Sequence, residues 1–427
     1  MSEDLSTSHR LTRRLRDMLG LMSSAGLAQG AAVVALPLLQ RFCYGPVAFA
    51  DMAVYTQLAG ILGAVATLRM DLALVKHPEP SVARATFDNG LRALLVTTGI
   101  SLVIALLLPL SGSEMGQIQW LWCALPLGVL GVGLNGLISG WLTRAERFGT
   151  MAAMRAGGGV TGEALRFAAA PMGSIGLIAG RIAGQWCTVV WGLRAMAEAW
   201  SQAPKSTKAS RRAAWKQDRP YSWYTTPANL LAMAANGLFI LFLFEFGEGQ
   251  FVGIVGAGMA YLTVAAGLVI RSVNDVFFKH LDDIHSHRLL RHYAGWSLGL
   301  IALSTMGIAV LWGIPDAWVT QVLGNAWRDM LPIMRILAPW MVPWIAASAL
   351  SGIFPHLGRQ SWTLALDALH LMMVGGLLWS VRVAMPGATL DQSGALQLVR
   401  EYTLVQGVFY ALAIGVAFIA MAQARRQ

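Results

Sequence analysis

The sequence predicts an all-α polytopic membrane protein with about twelve transmembrane helices in two six-helix lobes. Of its 427 residues, 56% are hydrophobic and only 13% are charged, and the mean hydropathy is +0.56. In soluble domains, by contrast, about a quarter of the residues are charged. Apolar runs of about 20 residues, long enough to cross a hydrocarbon core as helices, recur along nearly the whole chain. A pattern of residues that recurs in the two halves predicts the two lobes.

The predicted transmembrane helices follow from the positions of these apolar runs. Each run is continuous and is bounded by polar or charged residues, as expected for a membrane-spanning helix. The predicted spans are 18–40, 47–68, 88–110, 117–142, 151–172, 174–196, 222–245, 250–274, 293–313, 330–354, 362–383 and 400–422.

The basic residues of the connecting loops predict the orientation in the membrane. Twenty Lys and Arg residues lie on one side of the predicted spans, and only Arg41, Arg328, Arg382 and Arg400 lie on the other. Basic loops stay in the cytoplasm, so both termini are predicted to be cytoplasmic. This bias accounts for most of the net charge of +10, and no nucleic-acid partner is expected.

One long polar segment divides the chain near its middle. Residues 197–220 are rich in Lys and Arg and contain Trp200 and Trp215. They predict a basic cytoplasmic linker that lies on the inner leaflet. The predicted domains are therefore an N-terminal six-helix lobe, 1–196, this linker, and a C-terminal six-helix lobe, 221–427.

Two sets of residues recur at equal spacing in the two halves. The first set pairs Tyr44 with Phe246, Gly45 with Gly247, Phe49 with Phe251 and Arg69 with Arg271. The second set pairs Ser139 with Ser351, Gly140 with Gly352 and Arg147 with Arg359. Because six spans is an even number, the two repeats would enter the membrane in the same direction. A parallel pseudo-twofold axis along the membrane normal would then relate them around a central cavity.

Charged residues inside the predicted spans indicate what this cavity binds. A charge at the bilayer centre costs about 3 kcal/mol, so these residues predict a shared, water-filled, cationic cavity. An anion is the expected ligand, and phosphate or diphosphate best matches the planar guanidinium group. The basic residues are Arg69, Arg92, Arg155, Arg166, Arg181, Arg194, Arg271 and Arg335, and the acidic ones are Asp51, Asp71, Glu163, Asp275 and Asp367. Snorkelling or structural pairing is the alternative for Arg92, Arg166, Arg194 and Arg335.

Four arginines are the predicted binding residues for a diphosphate and its glycan. Arg69 and Arg271 are chosen because they occupy equivalent positions in the two repeats. Arg41 and Arg155 are added, and Arg155 lies eight residues before Glu163, on roughly the same helix face.

Three carboxylates are predicted either to bind a coupling H⁺ or Na⁺ or to compensate the arginines. They are Asp71, Asp275 and Glu163. Asp275 lies four residues after Arg271 and can pair with it. Asp71, two residues after Arg69, is expected to contact another helix instead.

Two further patterns bear on the interior of the bundle. The glycines at 157–159 in the fifth span predict either close helix packing or a bend, and close packing is favoured. The three cysteines, Cys43, Cys123 and Cys187, have no metal-binding spacing. Neither a metal nor an organic cofactor is expected.

Several short motifs resemble those of bacterial oligosaccharide flippases. The residues Arg41 to Phe49, RFCYGPVAF, are similar to the family's arginine–tyrosine–glycine–proline–x–x–phenylalanine stretch, with two residues inserted after Arg41. Leu68 to Ala73, LRMDLA, is similar to its arginine–tyrosine–glutamate–x–alanine motif, with Met70-Asp71 in place of tyrosine–glutamate. The remaining similar positions are Gly180, Gly184, Gln185, Gly324, Trp327, 336–339, Arg359 and Gln360.

This family belongs to the multidrug/oligosaccharidyl-lipid/polysaccharide exporter superfamily, and the resemblance carries expectations about function. It implies alternating access and translocation of undecaprenyl-diphosphate-linked oligosaccharide repeat units across the bacterial inner membrane, coupled to an ion gradient. It also implies a role in lipopolysaccharide or exopolysaccharide export. The expected partners are the lipid-linked oligosaccharide, membrane lipids, and the polysaccharide polymerase and chain-length machinery.

Other functions remain open at this point. A multidrug or organic-cation antiporter would favour carboxylates and aromatics over arginines in its cavity. A peptidoglycan-precursor flippase would have a similar anion site. A membrane-embedded glycan polymerase or acyltransferase would need catalytic groups, for which His280, His285, His287 and His292 are the candidates. No catalytic residues are expected in a flippase, because it makes and breaks no bond.

Overall fold

In the computed structural model the chain is described at residues 30, 34–118, 120–281, 286–385 and 389–424. These residues are mostly helical, and no strand occurs among them. The first helix, α1, covers residues 34–42. The helices that follow are α2 Pro46–Val65, α3 Met70–Val75, α4 Pro80–Leu107, α5 Leu121–Arg144, α6 Phe148–Ala168, α7 Ser174–Gln202, α8 Lys208–Pro220, α9 Thr226–Phe246, α10 Gly249–Leu281, α11 Ser286–Gly313, α12 Asp316–Leu323, α13 Met330–Leu337, α14 Met341–Ala349, α15 Ile353–His356, α16 Gln360–Ala384 and α17 Gln392–Ala424.

The helices confirm the predicted fold class of an all-α, multi-pass membrane protein. Within the described part of the chain, nine helical segments are long and apolar enough to cross a membrane. Of the eleven predicted spans from 47–68 onward, ten each overlap one long helix and 330–354 runs over α13, α14 and the start of α15, while most of 18–40 lies outside the described residues. The helices α6 and α7 are not among the nine segments, and their sequences are less apolar because charged, polar and glycine residues are interspersed in them.

Contacts divide the chain into two units that are not consecutive in sequence. The first contains the described residues up to Tyr44 together with Leu58–Leu230, and the second contains Gly45–Gln57 together with the described residues from Leu231 onward. The predicted linker, 197–220, thus lies within the first unit, and the predicted lobe boundaries stay predictions.

The backbone of the first unit is interrupted between α2 and α3. Leu68 and Arg69 have φ values of 49° and 58°, in the left-handed region that side chains other than glycine rarely adopt. Backbone carbonyls near the interruption accept hydrogen bonds from side chains instead of from the next helical turn. Ser222 Oγ donates to the carbonyl of Leu68 at 3.2 Å, and Asn229 Nδ2 donates to that of Ala64 at 3.2 Å.

The linker helix α8 is fastened to the rest of the first unit. Thr207 and Ser210 form a reciprocal capping box at its N-terminus, and a π-helical turn, Tyr221–Thr225, joins its end to α9. The side chain of Asn89 on α4 donates to the carbonyl of Arg211 at 2.9 Å. These contacts give a short polar helix a fixed position.

Before this helix, Trp200 packs on protein side chains. Its ring lies 4.7 Å from that of Phe87 and 5.1 Å from that of Trp141, centroid to centroid. The guanidinium of Arg84 stacks over it at 3.3 Å. Lipid contacts were predicted for Trp200, and the structure gives it these protein contacts.

Aromatic side chains form much of the interior of the second unit. Phe239 on α9 stacks on Tyr402 of α17 with ring centroids 3.8 Å apart. The buried His370 on α16 donates from Nε2 to Oε1 of Gln406 at 2.9 Å and stacks on Phe409. The contacts join α9, α16 and α17.

Candidate functional site

A polar cavity of about 720 Å³ lies within the first unit, among α3, α5, α6 and α7. Its size falls in the range of small-molecule sites. The described residues that line it are Asp71, Leu72 and Val75 of α3, Asn135, Gly136, Ser139, Gly140 and Thr143 of α5, Arg155, Gly158, Gly159, Gly162, Glu163 and Arg166 of α6, and Arg181, Gly184, Gln185 and Thr188 of α7.

Glycines let the walls of this cavity approach each other closely. A Cβ added to Gly184 would lie 2.6 Å from the carbonyl oxygen of Gly158 and 2.8 Å from Cα of Gly162, so α6 and α7 pack backbone against backbone. Gly140 on α5 approaches the backbone of Asp71 in the same way. The prediction that the glycines of the fifth span serve close packing is confirmed, since Gly158 meets Thr188 and α7 and α6 runs unbroken.

An ion pair neutralises part of the charge in the cavity. Nη1 of Arg166 donates to both carboxylate oxygens of Glu163, at 2.8 Å and 3.0 Å. The two side chains are only 13% and 15% exposed. Snorkelling or structural pairing was the predicted alternative to lining the cavity for Arg166, and this arginine both pairs with Glu163 and lines the cavity. Nη2 of Arg155 lies 3.5 Å from Oγ of Ser139, a long hydrogen bond that joins α6 to α5.

The carboxylate of Asp71 has a different partner from the expected one. Its Oδ1 accepts a hydrogen bond at 2.8 Å from Oγ1 of Thr67, four residues earlier in the chain. A partner on another helix was expected because Arg69 and Asp71 point apart on a regular helix. The interruption at Arg69 brings Thr67 to the carboxylate instead.

The structure brings three of the predicted site residues together. Arg155, Asp71 and Glu163 line the cavity, and the eight-residue spacing of Arg155 and Glu163 does place them on one wall. Arg69 precedes α3 but is not among the lining residues, and its Nε is buried without a hydrogen-bond partner. The roles of Arg155, Asp71, Glu163 and Arg69 as ligands of a substrate or an ion stay predictions.

The other predicted residues lie elsewhere. Arg41 is exposed on α1 and does not line the cavity. Arg271 and Asp275 lie on α10 of the second unit, and their side chains fall outside what the structure describes. The paired role of Arg69 and Arg271 therefore stays a prediction.

Two amides of the cavity were not predicted. Oδ1 of Asn135 and Oε1 of Gln185 are buried without a hydrogen-bond partner, although Nδ2 of Asn135 donates to the carbonyl of Gln185 at 3.2 Å. Buried polar atoms are normally paired, so free acceptors here suit a ligand that donates hydrogen bonds. The available signal was their helical spacing, since Asn135 precedes Ser139, and Gln185 follows Arg181, by four residues.

The histidines considered for an enzymatic role are not assembled into a site in the part of the chain that is described. His280, His285 and His287 fall outside the described side chains, and His292 is exposed on α11. Among the described residues, no group of three or more His, Cys, Asp or Glu side chains is positioned to hold a metal ion.

Solved structures share the fold of this chain, although no protein-family model and no curated protein matches its sequence. A multidrug resistance MATE family transporter of the MOP superfamily, in an inward-facing conformation, has a TM-score of 0.62 at 13% identity, over 95% of this chain and 96% of the other. The lipid II flippase MurJ, in an inward closed conformation, has a TM-score of 0.65 at 10% identity, over 94% and 90%. A MOP superfamily transporter from Pyrococcus furiosus has a TM-score of 0.57 at 15% identity, over 97% and 96%.

These similarities define the class of fold. The chain has the two-lobe, all-helical fold of MOP superfamily transporters, and the predicted fold class is confirmed, while the parallel repeat and the central cavity between the lobes stay predictions. At 10–15% identity the likeness establishes the fold alone. The narrower resemblance to oligosaccharide flippases stays a prediction.

Proposed function

We propose that the chain is a flippase that translocates undecaprenyl-diphosphate-linked oligosaccharide repeat units across the bacterial inner membrane by alternating access. The observation that carries this proposal is the polar cavity inside the first unit. Among its described lining residues, three arginines stand against two carboxylates. An excess of guanidinium groups in a membrane interior favours an anionic ligand with phosphate geometry. A lipid II flippase shares the fold, so the fold is compatible with a flippase.

Different side chains of the cavity would bind different parts of this substrate. Arg155 and Arg181 would bind the diphosphate, because both guanidinium groups line the cavity from neighbouring helices, α6 and α7. The unpaired amide oxygens of Asn135 and Gln185 would accept hydrogen bonds from sugar hydroxyls. The polyprenyl tail would remain in an apolar environment, where its burial costs nothing. Arg69, Arg271 and Arg41 are proposed to contact the substrate at other stages of transport.

Coupling to an ion gradient is part of the proposal. Asp71 and Glu163 are the candidate groups for H⁺ or Na⁺, since both carboxylates line the cavity. A coupling cation bound at Glu163 would compete with Arg166 for the carboxylate and free that guanidinium for the anion. This exchange would link ion binding to substrate binding.

The proposal is tested by export of surface glycan in a strain that lacks its own copy. Arg155→Ala, Arg181→Ala, Arg69→Ala and Arg271→Ala should each reduce surface glycan at unchanged protein level in the membrane. Arg328→Ala is the control, since this arginine is 74% exposed and its ion pair is with the adjacent Asp329 at 3.7 Å. Single cysteines at these positions should react with a water-soluble thiol reagent.

Two outcomes would contradict the proposal. Normal export by all four variants, with cysteines that do not react, would make the arginines structural and remove the anion-binding mechanism. Normal glycan export in a strain that lacks the chain altogether would exclude its role in that pathway.

A multidrug or organic-cation antiporter and a peptidoglycan-precursor flippase are compatible with the same fold. An antiporter predicts drug efflux that depends on Asp71 and Glu163 and not on the arginines. A precursor flippase predicts loss of viability when the chain is depleted. The enzyme alternative predicts that His292→Ala abolishes glycan synthesis, whereas the flippase hypothesis predicts no effect of this substitution on synthesis.

A further inference from the structure

A second cavity, of about 920 Å³, lies in the second unit along α11 and has no assigned role. Its described lining residues are Val273, Arg291, His292, Gly295, Trp296, Gly299, Leu300 and Leu303. All but Val273 belong to α11, so the cavity is a groove that follows this helix.

The spacing of the lining residues explains the shape of the groove. Arg291, Gly295, Gly299 and Leu303 are four residues apart and form one row along the helix. At 1.5 Å per residue, this row is about 18 Å long. No atom lies within 4 Å of a Cβ built on Gly295 or Gly299, so the two glycines leave an open trough.

The two ends of the groove differ in chemistry. Arg291 and His292 are exposed at one end, on the side predicted to be cytoplasmic. Trp296 and Leu303, 38% and 47% exposed, provide apolar walls towards the other end. Only 17% of the apolar window of α11 is buried inside the protein, so most of the helix surface is available to lipid. A cationic end and an apolar trough together match an amphiphile with a phosphate headgroup and a long chain.

We propose that this groove binds the polyprenyl chain of the transported lipid, with its diphosphate at Arg291 and His292. The inference rests on the proposed function, which supplies the substrate class, and it adds a place for the tail outside the polar cavity of the first unit. The groove would hold the substrate at an early stage of transport, before its diphosphate binds to Arg155 and Arg181 in the polar cavity. The hydrogen bonds from Arg291 to the diphosphate would be charge-assisted. The trough would contribute a concave apolar surface that accommodates the polyprenyl chain without a steric clash.

The test is binding of undecaprenyl diphosphate to the purified full chain, measured by native mass spectrometry in detergent. Gly299→Phe should fill the trough and weaken binding by about tenfold or more. Gly307→Phe is the matched control, because Gly307 also lies on α11 with no atom within 4 Å of its added Cβ but does not line the groove. Arg291→Gln should also weaken binding, whereas Arg400→Gln, at an exposed arginine of the same unit, should not.

Three outcomes would overturn the inference. Equal binding by wild type and Gly299→Phe would show that the trough does not hold the chain. If phosphatidylglycerol displaced undecaprenyl diphosphate equally well, the groove would be a general lipid contact. If inorganic pyrophosphate bound with the same affinity as undecaprenyl diphosphate, the polyprenyl chain would contribute nothing to binding. If the groove variants bind undecaprenyl diphosphate normally while wild type exports glycan, the groove is not the binding site and the proposed function still stands. If wild type neither binds this lipid nor exports glycan, the proposed function fails with it.

Discussion

The carboxylate of Asp218 on α8 accepts a hydrogen bond at 2.8 Å from Nε2 of His77, across 141 residues of chain. Its other oxygen accepts one at 2.7 Å from Oγ1 of Thr86 on α4. Asp218 is 2% exposed and His77 is 6% exposed. The only acidic residue of the linker helix is therefore a buried acceptor that holds this helix on the first unit.

Removing this acceptor should destabilise the first unit. Asp218→Ala leaves His77 and Thr86 with buried donors and no partner, which costs about 2–3 kcal/mol. We expect a lower midpoint of thermal unfolding in detergent. Lys216→Ala, at an exposed position of the same helix, should leave the midpoint unchanged. A midpoint for Asp218→Ala equal to that of wild type would show that α8 is not held through this carboxylate.

The contact between α6 and α7 should be sensitive to a single methyl group. Gly158→Ala places a Cβ against Oγ1 of Thr188 and the backbone of Gly184, and overpacking of this kind costs about 1–3 kcal/mol. Gly149→Ala in the same helix meets no atom within 4 Å and should be neutral or slightly stabilising. Thermal unfolding of the two variants side by side checks this, and equal midpoints would argue against close packing.

The ion pair of Glu163 and Arg166 should show coupling in a double-mutant cycle. Either side chain replaced alone by Ala leaves a poorly exposed charge without its partner. The double variant Glu163→Ala/Arg166→Ala should recover part of that loss, with a coupling energy of about 1–3 kcal/mol. The free energies of unfolding of all four proteins give this quantity directly. Additive losses would mean that the pair is not formed in the folded protein.

The unpaired amides should matter for transport more than for folding. Gln185→Leu removes a buried acceptor that has no protein donor, so stability should change by less than about 1 kcal/mol, whereas Asn135→Leu also removes the hydrogen bond to the carbonyl of Gln185 and should cost about 1 kcal/mol. If these acceptors bind sugar hydroxyls, surface glycan should fall strongly, and for Gln185→Leu at an unchanged unfolding midpoint. A larger loss of stability together with loss of glycan would instead assign the amides to the protein's own structure.

The helical architecture could be predicted from the sequence because spanning a bilayer imposes length and hydropathy together. The predicted spans at 151–172 and 174–196 were recognisable even though charges interrupt them, since most of the residues in each are apolar or small over a length that can cross a bilayer. The linker was also recognisable as a polar segment. Its attachment through Asp218 was not, because the partners His77 and Thr86 are distant in sequence and carry no periodic pattern.

Part of the candidate site could be predicted in the same way. Arg155 and Glu163 lie on one unbroken helix, so their spacing translated directly into a shared wall. Asp71 follows residues with left-handed backbone that are neither Gly nor Asn, and no local sequence signal marks such a conformation. A regular helix was assumed there, and the predicted partner of Asp71 was therefore wrong.

The interruption between α2 and α3 has a consequence for where water can reach the first unit. The carbonyls of Ala64 and Leu68 bind the side chains of Asn229 and Ser222, so the protein itself supplies donors that solvent would otherwise have to provide. The interrupted backbone can thus be sealed from solvent on the side of α9. On its other flank the interruption leads into α3, where Asp71 lines the polar cavity, a space large enough to hold water beside the carboxylate.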